Sequence, residues 1–288
     1  MNKGDFYMAK IKIITDSSSD LPKAYYENNN IDVLYFPITL AGEEYIDQIT
    51  LPTSKLYELV DVHGVLPKTA AIGVYHFQQK FEEVLKEYDQ VLFIGISSGF
   101  SCQVSNAHLA SQEFDGKVKV VDSKNLSSGE GLVVMKAVEL VNKGLDIEEV
   151  YSSLTTYIEK VRSQFAIETM DFLHKGGRCS GVVYFLGKGL KIKPIIRVVD
   201  GKMIVYKKPI GKMKNALDKL IDIFLEDLPN IDLTTVMITH SLGHESCEYL
   251  KARLIEHIDP SIIMETNAGA TISTHCGKGT IGILYALK

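Results

Sequence analysis

The pattern of apolar and polar positions divides the chain into two halves that read differently. In the first half, short apolar runs alternate with segments of helical period. Residues 11–14 (Ile-Lys-Ile-Ile) read as a strand, and residues 1–8 as a ragged extension before it. The polar loop Thr15-Asp16-Ser17-Ser18-Ser19-Asp20-Leu21-Pro22 follows, with its proline at a helix start. Residues 33–40 form a second extended run, which Pro37 bends or confines to an edge. Residues 41–68 are mixed, with a helix expected over 54–60. Phe77, Phe81, Val84, Leu85 and Tyr88 recur at helical spacing. Residues 91–94 (Val-Leu-Phe-Ile) read as a fully buried strand, which turns through Gly95, Ser97, Ser98, Gly99 and Ser101 into another helix. After a strand at 118–121, residues 129–143 are apolar around most of a helical circumference. Such a helix is buried on several sides or lines an apolar cavity. Residues 148–162 have ordinary amphipathic spacing. This alternation predicts right-handed βαβ units and a mainly parallel sheet.

The second half predicts an α+β arrangement with a mixed sheet. Strands are expected at 164–168, 235–239, 261–266 and 280–287, and helices over 216–225 and 245–257. Asp200-Gly201 between two β-rich runs is a hairpin signal. His174-Lys175-Gly176-Gly177-Arg178 reads as a basic, glycine-rich turn. The expected organisation is an N-terminal α/β domain over 1–160 and a C-terminal α+β domain over 161–288.

Composition narrows the class. The chain has 288 residues, 45% hydrophobic and 23% charged, which suits a soluble globular protein. A net charge of −5 argues against a general nucleic-acid binder. No apolar run is long enough for a membrane span, and no signal core opens the chain. Cys102, Cys179, Cys247 and Cys276 lie far apart without a C-x-x-C pair, which fits a reducing cytoplasm.

Four clusters of small polar residues sit where strands end: residues 16–19, Thr69, the turn Ser97 to Ser101, and residues 274–279. Ligands of open α/β sheets bind at such ends, although Ser, Asp and Gly also supply ordinary turns and caps. The serine turn has no formal charge in sequence from 90 to 112, with His108 neutral. Its hydroxyls and the following helix N-terminus suit a modest anion, such as a carboxylate, better than a triphosphate. His275, beside Gly277-Lys278-Gly279, is a further donor candidate. His240 and His244 have the spacing of two metal ligands on one helix, but Gly243 argues for a turn and no third ligand is evident; no metal is expected. No cofactor motif occurs: the glycine patterns fit neither a dinucleotide loop nor a phosphate loop. Gly95-Ile96-Ser97-Ser98-Gly99 matches the letters of a nucleophile elbow. It raises the alternative of a serine hydrolase acting on acyl esters through Ser97, for which His275 is the one well-placed base and no acid is identifiable.

With these residues in view, the chain resembles the DegV family of fatty-acid-binding proteins, which includes the FakB-type subunits of bacterial fatty acid kinase. The resemblance spans residues 11–287. It rests on Ile14-Thr15-Asp16-Ser17-Ser18-Ser19-Asp20-Leu21-Pro22, Ile96-Ser97-Ser98-Gly99-Phe100-Ser101, Ser105-Asn106-Ala107 and Val121-Asp122-Ser123. Lys175-Gly176-Gly177-Arg178, Ile192-Lys193-Pro194-Ile195, Asp200-Gly201 and His275-Cys276-Gly277-Lys278-Gly279 complete it. Each match is weak alone, whereas their order and spacing together are specific.

The resemblance implies two α/β-type domains with a long-chain fatty acid between them, its tail buried and its carboxylate held by Thr69 and Ser101 near His275. Ser97, Ser98 and Arg178 join them as ligand-binding candidates. The helix over 129–143 is expected to supply apolar lining. It implies a non-catalytic, cytoplasmic carrier that presents the carboxylate to a separate fatty acid kinase. Burying a dozen methylenes at ~0.8 kcal/mol each supplies on the order of 10 kcal/mol before ordering costs, so the tail sets affinity and the polar end sets orientation. The chain departs from the family pattern at three places. It has Thr69-Ala70-Ala71-Ile72 for Thr-Ser-Gln-Pro, and Ser101-Cys102-Gln103 for Ser-Gly-Thr. Its segment 208–214 has Gly211 and lysines but no Arg, so bidentate pairing with a kinase is not available there.

Overall fold

The computed structural model describes residues 9–178 and 192–288. The N-terminal extension and Cys179 lie outside the described residues. In chain order, the strands of the first half are β1 (Ile11–Asp16), β2 (Asp32–Leu34), β3 (Pro37–Leu40), β4 (Glu43–Ile46), β5 (Lys68–Thr69), β6 (Gln90–Gly95) and β7 (Val118–Asp122). Its helices are α1 (Lys23–Asn28), α2 (Thr53–His63), α3 (Val74–Val84), α4 (Gln103–Ser111), α5 (Ser128–Asn142) and α6 (Ile147–Ile158). The second half has strands β8 (Val161–Ala166), β9 (Ile195–Val199), β10 (Lys202–Lys207), β11 (Ile231–His240), β12 (Ile263–Asn267) and β13 (Ile281–Leu287). Its helices are α7 (Asp171–Lys175), α8 (Met213–Asp227), α9 (His244–Leu254) and α10 (Ala270–Cys276).

A four-stranded sheet of order β2-β1-β6-β7 is parallel throughout. Its central strands are apolar on both faces because helices cover both. Ile14, Val91 and Phe93 meet Phe77 and Phe81 of α3 and Ala107 and Ala110 of α4. Ile13, Leu92 and Ile94 meet α5 and α6 on the other face. The second sheet, β10-β9-β8-β13-β11-β12, is mixed: β11 and β12 run parallel and its other pairs antiparallel. The fold is thus α/β, with one parallel and one mixed sheet. Helices α8 and α9 cover the outer face of the second sheet.

Helix α5 also meets Met237 and Leu284 of the second sheet. It is packed between two sheets, which explains why it is apolar on nearly every side. Residues 159 and 160 fall between α6 and β8, and Val161 opens the first strand of the second sheet.

Residues 33–40 are not one strand. Pro37 cannot donate a ladder hydrogen bond, and the chain changes sheets there: β2 joins the parallel sheet, while β3 starts a small antiparallel sheet, β4-β3-β5. This third sheet carries Thr69 at its edge and packs, with α2, against Ala270 of α10. Residues 174–175 lie in the short helix α7, and only the following glycines form the turn.

Candidate functional site

An apolar cluster fills the space between the two large sheets. It joins Ile96 and Leu126 from the first half to Phe165, Met203, Ile272 and Cys276 from the second. The cluster does not close completely. It leaves a cavity of about 580 Å³, counting its open mouth, lined further by Phe36, Phe100 and Leu173. A deeper compartment of about 350 Å³ shares Leu126, Phe165, Ile272 and Cys276 with it. Apolar compartments with a few convergent polar groups are characteristic of small-molecule sites. Helix α5 lines neither compartment. The expectation that residues 129–143 supply the lining is therefore corrected: being wedged between sheets leaves α5 no free face on the cavity.

The polar groups of the outer cavity are Thr69, Ser101, Thr271, His275 and Arg178, of which Thr69, Ser101, His275 and Arg178 are the ones expected from the sequence. Thr69 Oγ1 and His275 Nε2 are hydrogen-bonded at 3.0 Å, across 206 positions of sequence. His275 is carried on the last turn of α10. Its Nδ1 is buried without a partner. Burial and the neighbouring Arg178 charge pull the imidazole from 6.5 down to about 4, so the ring is neutral at physiological pH. Gly176 must stay glycine here, because a Cβ would stand 2.4 Å from His275 Nδ1. Ser101 Oγ accepts the Gln103 N–H at 3.2 Å, which leaves its own proton for another acceptor. Arg178 donates from Nη1 to Gly176 O at 2.8 Å and from Nε to Phe100 O at 3.4 Å. The cation missing from the sequence around the serine turn thus comes from the other half of the chain. Two hydroxyls, a neutral imidazole and a guanidinium at one end of an apolar cavity can hold a carboxylate while the walls hold a hydrocarbon.

Ser97 and Ser98 lie outside this group. Ser97 Oγ is buried, donates to Gly201 O at 2.9 Å and accepts the Gly99 N–H at 3.1 Å. Ser98 Oγ donates to Asp122 Oδ2 at 2.6 Å. Ser97 therefore ties the serine turn to the β9–β10 hairpin, and Ser98 ties it to the end of β7. Neither hydroxyl lines the cavity, and His275 is bonded to Thr69 rather than to Ser97. The hydrolase alternative has no support in this geometry, because a nucleophile needs its base within hydrogen-bond reach. Gly99 is needed for the same junction: a Cβ would sit 2.3 Å from Gly201 O. Gly99→Ala is expected to push the turn off the hairpin and cost about 2–3 kcal/mol, read as a lower denaturation midpoint. An unchanged midpoint would show that the junction yields freely.

The His240–His244 pair does acquire a neighbour, Glu265, whose Oε1 is 2.9 Å from His240 Nε2. Yet His240 Nδ1 accepts the Gly243 N–H at 3.2 Å. That tautomer puts the proton on Nε2, where it is donated to Glu265, and leaves no lone pair there for a metal.

Sequence reading missed a buried carboxylate network under the site. Asp16, Asp20, Asp47 and Glu130 are all buried. Asp16 accepts the Ile96 N–H at 3.1 Å. Asp47 accepts the Thr271 N–H at 3.2 Å and the Ser17 hydroxyl at 2.7 Å. Asp20 accepts the Gly269 N–H at 2.8 Å and the Ser127 hydroxyl at 2.6 Å. The network thereby fixes the starts of the serine turn, of α10 and of α5. The one available signal was Glu130, a lone acid within an apolar helical run.

Comparison with known proteins agrees in family and in fold. The family model described as "Uncharacterised protein, DegV family" matches residues 10–288. A DegV domain-containing protein of Clostridium perfringens is 32% identical over 290 residues, covering 96% of this chain and 99% of its own. One of Clostridium acetobutylicum is 31% identical over 282 residues, covering 98% and 100%. Among solved structures, a DegV family protein from Thermus thermophilus, described by its fatty acid binding, superposes with a TM-score of 0.90 at 28% identity, covering 97% of this chain and 100% of that one. DegV of Bacillus subtilis, described as a fatty acid binding protein, gives 0.86 at 28% identity over the same shares. The match across nearly the whole chain, in sequence and in architecture, makes this protein a member of the DegV family.

Proposed function

We propose that the protein is a non-catalytic carrier of a long-chain fatty acid. The observation that carries this reading is the apolar cavity between the sheets, with Thr69, Ser101, His275 and Arg178 gathered at its outer end. The fatty-acid-binding descriptions of the Thermus thermophilus and Bacillus subtilis proteins support it. The tail lies along Phe100, Ile96 and Leu126 toward Phe165 and Ile272, between a unit of residues 1–160 and one of 161–288. Thr69 and Ser101 donate to the carboxylate. The Arg178 charge compensates it, and neutral His275 fixes the Thr69 hydroxyl. Tail burial holds the ligand; the polar end sets which way it faces.

Under this reading the carboxylate is presented in the cytoplasm to a separate fatty acid kinase, as for FakB-type subunits. Among the described residues no helix is long and apolar enough to cross a membrane. Lys214 of segment 208–214 is bonded to Asp218 and Tyr249, so a kinase would meet an ammonium already engaged rather than an arginine fork.

Lipid extraction and mass spectrometry of protein purified from cells is expected to yield a stoichiometric fatty acid. Protein that emerges without lipid and does not take up added palmitate would exclude the carrier. Ser101→Ala should weaken binding about tenfold, the worth of one hydrogen bond to a charged group. Ser97→Ala should instead lower stability.

A further inference from the structure

Away from the acyl cavity, a second recess opens where the end of α6 and the start of β8 meet the β9–β10 turn and the loop after β7. It encloses about 770 Å³, counting its open mouth, and shares no lining residue with the acyl cavity. Three cations from three elements line it: Lys124, Arg162 and Arg197. Lys124 is matched by Glu159 at 2.7 Å. The two guanidiniums have no such match. Among the described residues Arg253 has Asp218 at 3.5 Å and Glu256 at 4.0 Å, whereas no carboxylate pairs with Arg162 or Arg197.

Arg162 donates from Nη1 to two backbone carbonyls, Glu159 O at 2.9 Å and Val161 O at 3.2 Å. Arg197 stacks its guanidinium 3.8 Å from the centre of the Tyr206 ring. Its Nε is buried without an acceptor. Gln164, its cross-strand neighbour on β8, has a buried Oε1 that also lacks a partner. The two Nη groups make no hydrogen bond among the described residues and stand as a fork. Stacking fixes the plane of that fork in advance, which reduces the entropy lost when it grips a ligand. Partly desolvated donors without acceptors are costly, and this cost is recovered when an acceptor enters.

We propose that this recess binds the phosphate group of a small phosphorylated metabolite, with Arg162 and Arg197 supplying the contacts. Planar guanidinium forks match phosphate oxygens pairwise. The lining also carries Asp200, so its cations exceed its carboxylates by one, and the paired geometry of the two guanidiniums, rather than net charge, favours a phosphate over a single carboxylate. The polar, roomy lining suits a hydrophilic remainder and not an acyl chain. One wall is the Asp200–Gly201 turn, whose Gly201 carbonyl accepts the Ser97 hydroxyl at 2.9 Å, so the recess adjoins the serine turn of the acyl site without opening into it.

The test titrates the full chain with inorganic phosphate, glycerol 3-phosphate, AMP and ADP in a low-salt, phosphate-free buffer, followed by calorimetry and phosphorus NMR. At least one ester should saturate. Arg162→Gln and Arg197→Gln should each weaken it about tenfold or more, and Arg197→Lys should weaken it too, because it keeps the charge and loses the fork. The co-purified fatty acid should be unchanged in all three. The proposal is overturned if no ester saturates by about 10 mM, if inorganic phosphate alone binds, or if the glutamine variants bind as tightly as the parent.

Discussion

An Ile272→Trp variant is expected to lose about three orders of magnitude in affinity for a sixteen-carbon fatty acid while keeping nearly all of its affinity for an eight-carbon one. Ile272 lines both compartments of the acyl cavity, at the throat formed with Leu126, Phe165 and Cys276. An indole there fills the passage. A long tail must then leave about five methylenes outside the inner compartment. At ~0.8 kcal/mol each this forfeits about 4 kcal/mol, roughly a thousandfold in affinity. In the proposed pose a short tail does not reach the throat and keeps its contacts with Thr69 and Ser101. Overpacking a core position costs about 1–3 kcal/mol, so the variant should fold with a lower melting temperature. Displacement of a fluorescent fatty acid by a chain-length series measures the effect. Equal affinity for the long acid before and after the change would sink the threaded tail. Equal losses for long and short acids would mean the polar end had moved instead.

The strands that form this scaffold were legible where a single physical constraint dominates. The apolar run of β6 has helices on both faces and reads as buried on both. Asp200-Gly201 takes the left-handed backbone at both residues, with φ of 48° and 73°, as a two-residue hairpin turn requires. The helix over 129–143 was legible as buried, but periodicity cannot say whether a sheet or a cavity covers a face, and here two sheets do. The strands of the third sheet have two to four residues each, too few for a period to show. Helix α10 is Ala-Thr-Ile-Ser-Thr-His-Cys, small and polar residues without an amphipathic stripe, because it is buried almost all round.

The candidate site was legible as residue types but not as a junction. Nothing in local sequence brings His275 to Thr69, or Arg178 to the serine turn; the family resemblance grouped these residues as ligand candidates, and the fold adds the bond from Arg178 to the Phe100 carbonyl in the serine turn. Ser97 shows the converse. Its G-x-S-x-G letters are the same whether the hydroxyl points at a substrate or at the carbonyl of Gly201, and packing decides for the carbonyl. The stretch Asp16 to Asp20 read only as a polar loop and a strand-end cluster, because its counterparts, Asp47, Glu130 and the α10 backbone, are distant in sequence.

Above pH 6.5, stability is expected to fall as pH rises, and Glu130→Gln should flatten that fall without loss of the fold. Ser18 Oγ stands 3.0 Å from Glu130 Oε2 and in a short hydrogen bond with Asp16 Oδ1. One hydroxyl has one proton and cannot donate to both carboxylates. The arrangement closes if Glu130 is protonated, donates to Ser18, and Ser18 donates to Asp16. Burial raises both acids: Asp16 goes from 3.8 up to about 6, and Glu130, with the Asp16 charge beside it, well above its usual 4.5. The folded state therefore holds protons that the unfolded chain has released, so this stabilisation is complete below about pH 4 and lost as pH rises through the folded values. His275, drawn down to about 4, acts in the opposite sense between 4 and 6.5, where the unfolded chain binds the extra proton. The two trends oppose each other in that window; above it the carboxylates act, joined near pH 9 by the buried thiols of Cys247 and Cys276, which burial pushes from 9 up to about 12. A glutamine at 130 keeps a donor for Ser18 and removes the ionisation, so denaturation midpoints from pH 6.5 to 9 should lie closer together than in the parent. Asp16→Asn should behave differently. Both Asp16 oxygens accept backbone N–H groups, from Ser18 at 3.0 Å and Ile96 at 3.1 Å, and an amide NH₂ facing either one costs about 1–3 kcal/mol. Because Ile96 lines the acyl cavity, Asp16→Asn should also weaken long-chain binding, whereas Glu130→Gln should leave it intact. A parent-like slope in Glu130→Gln would place the shared proton elsewhere in the network.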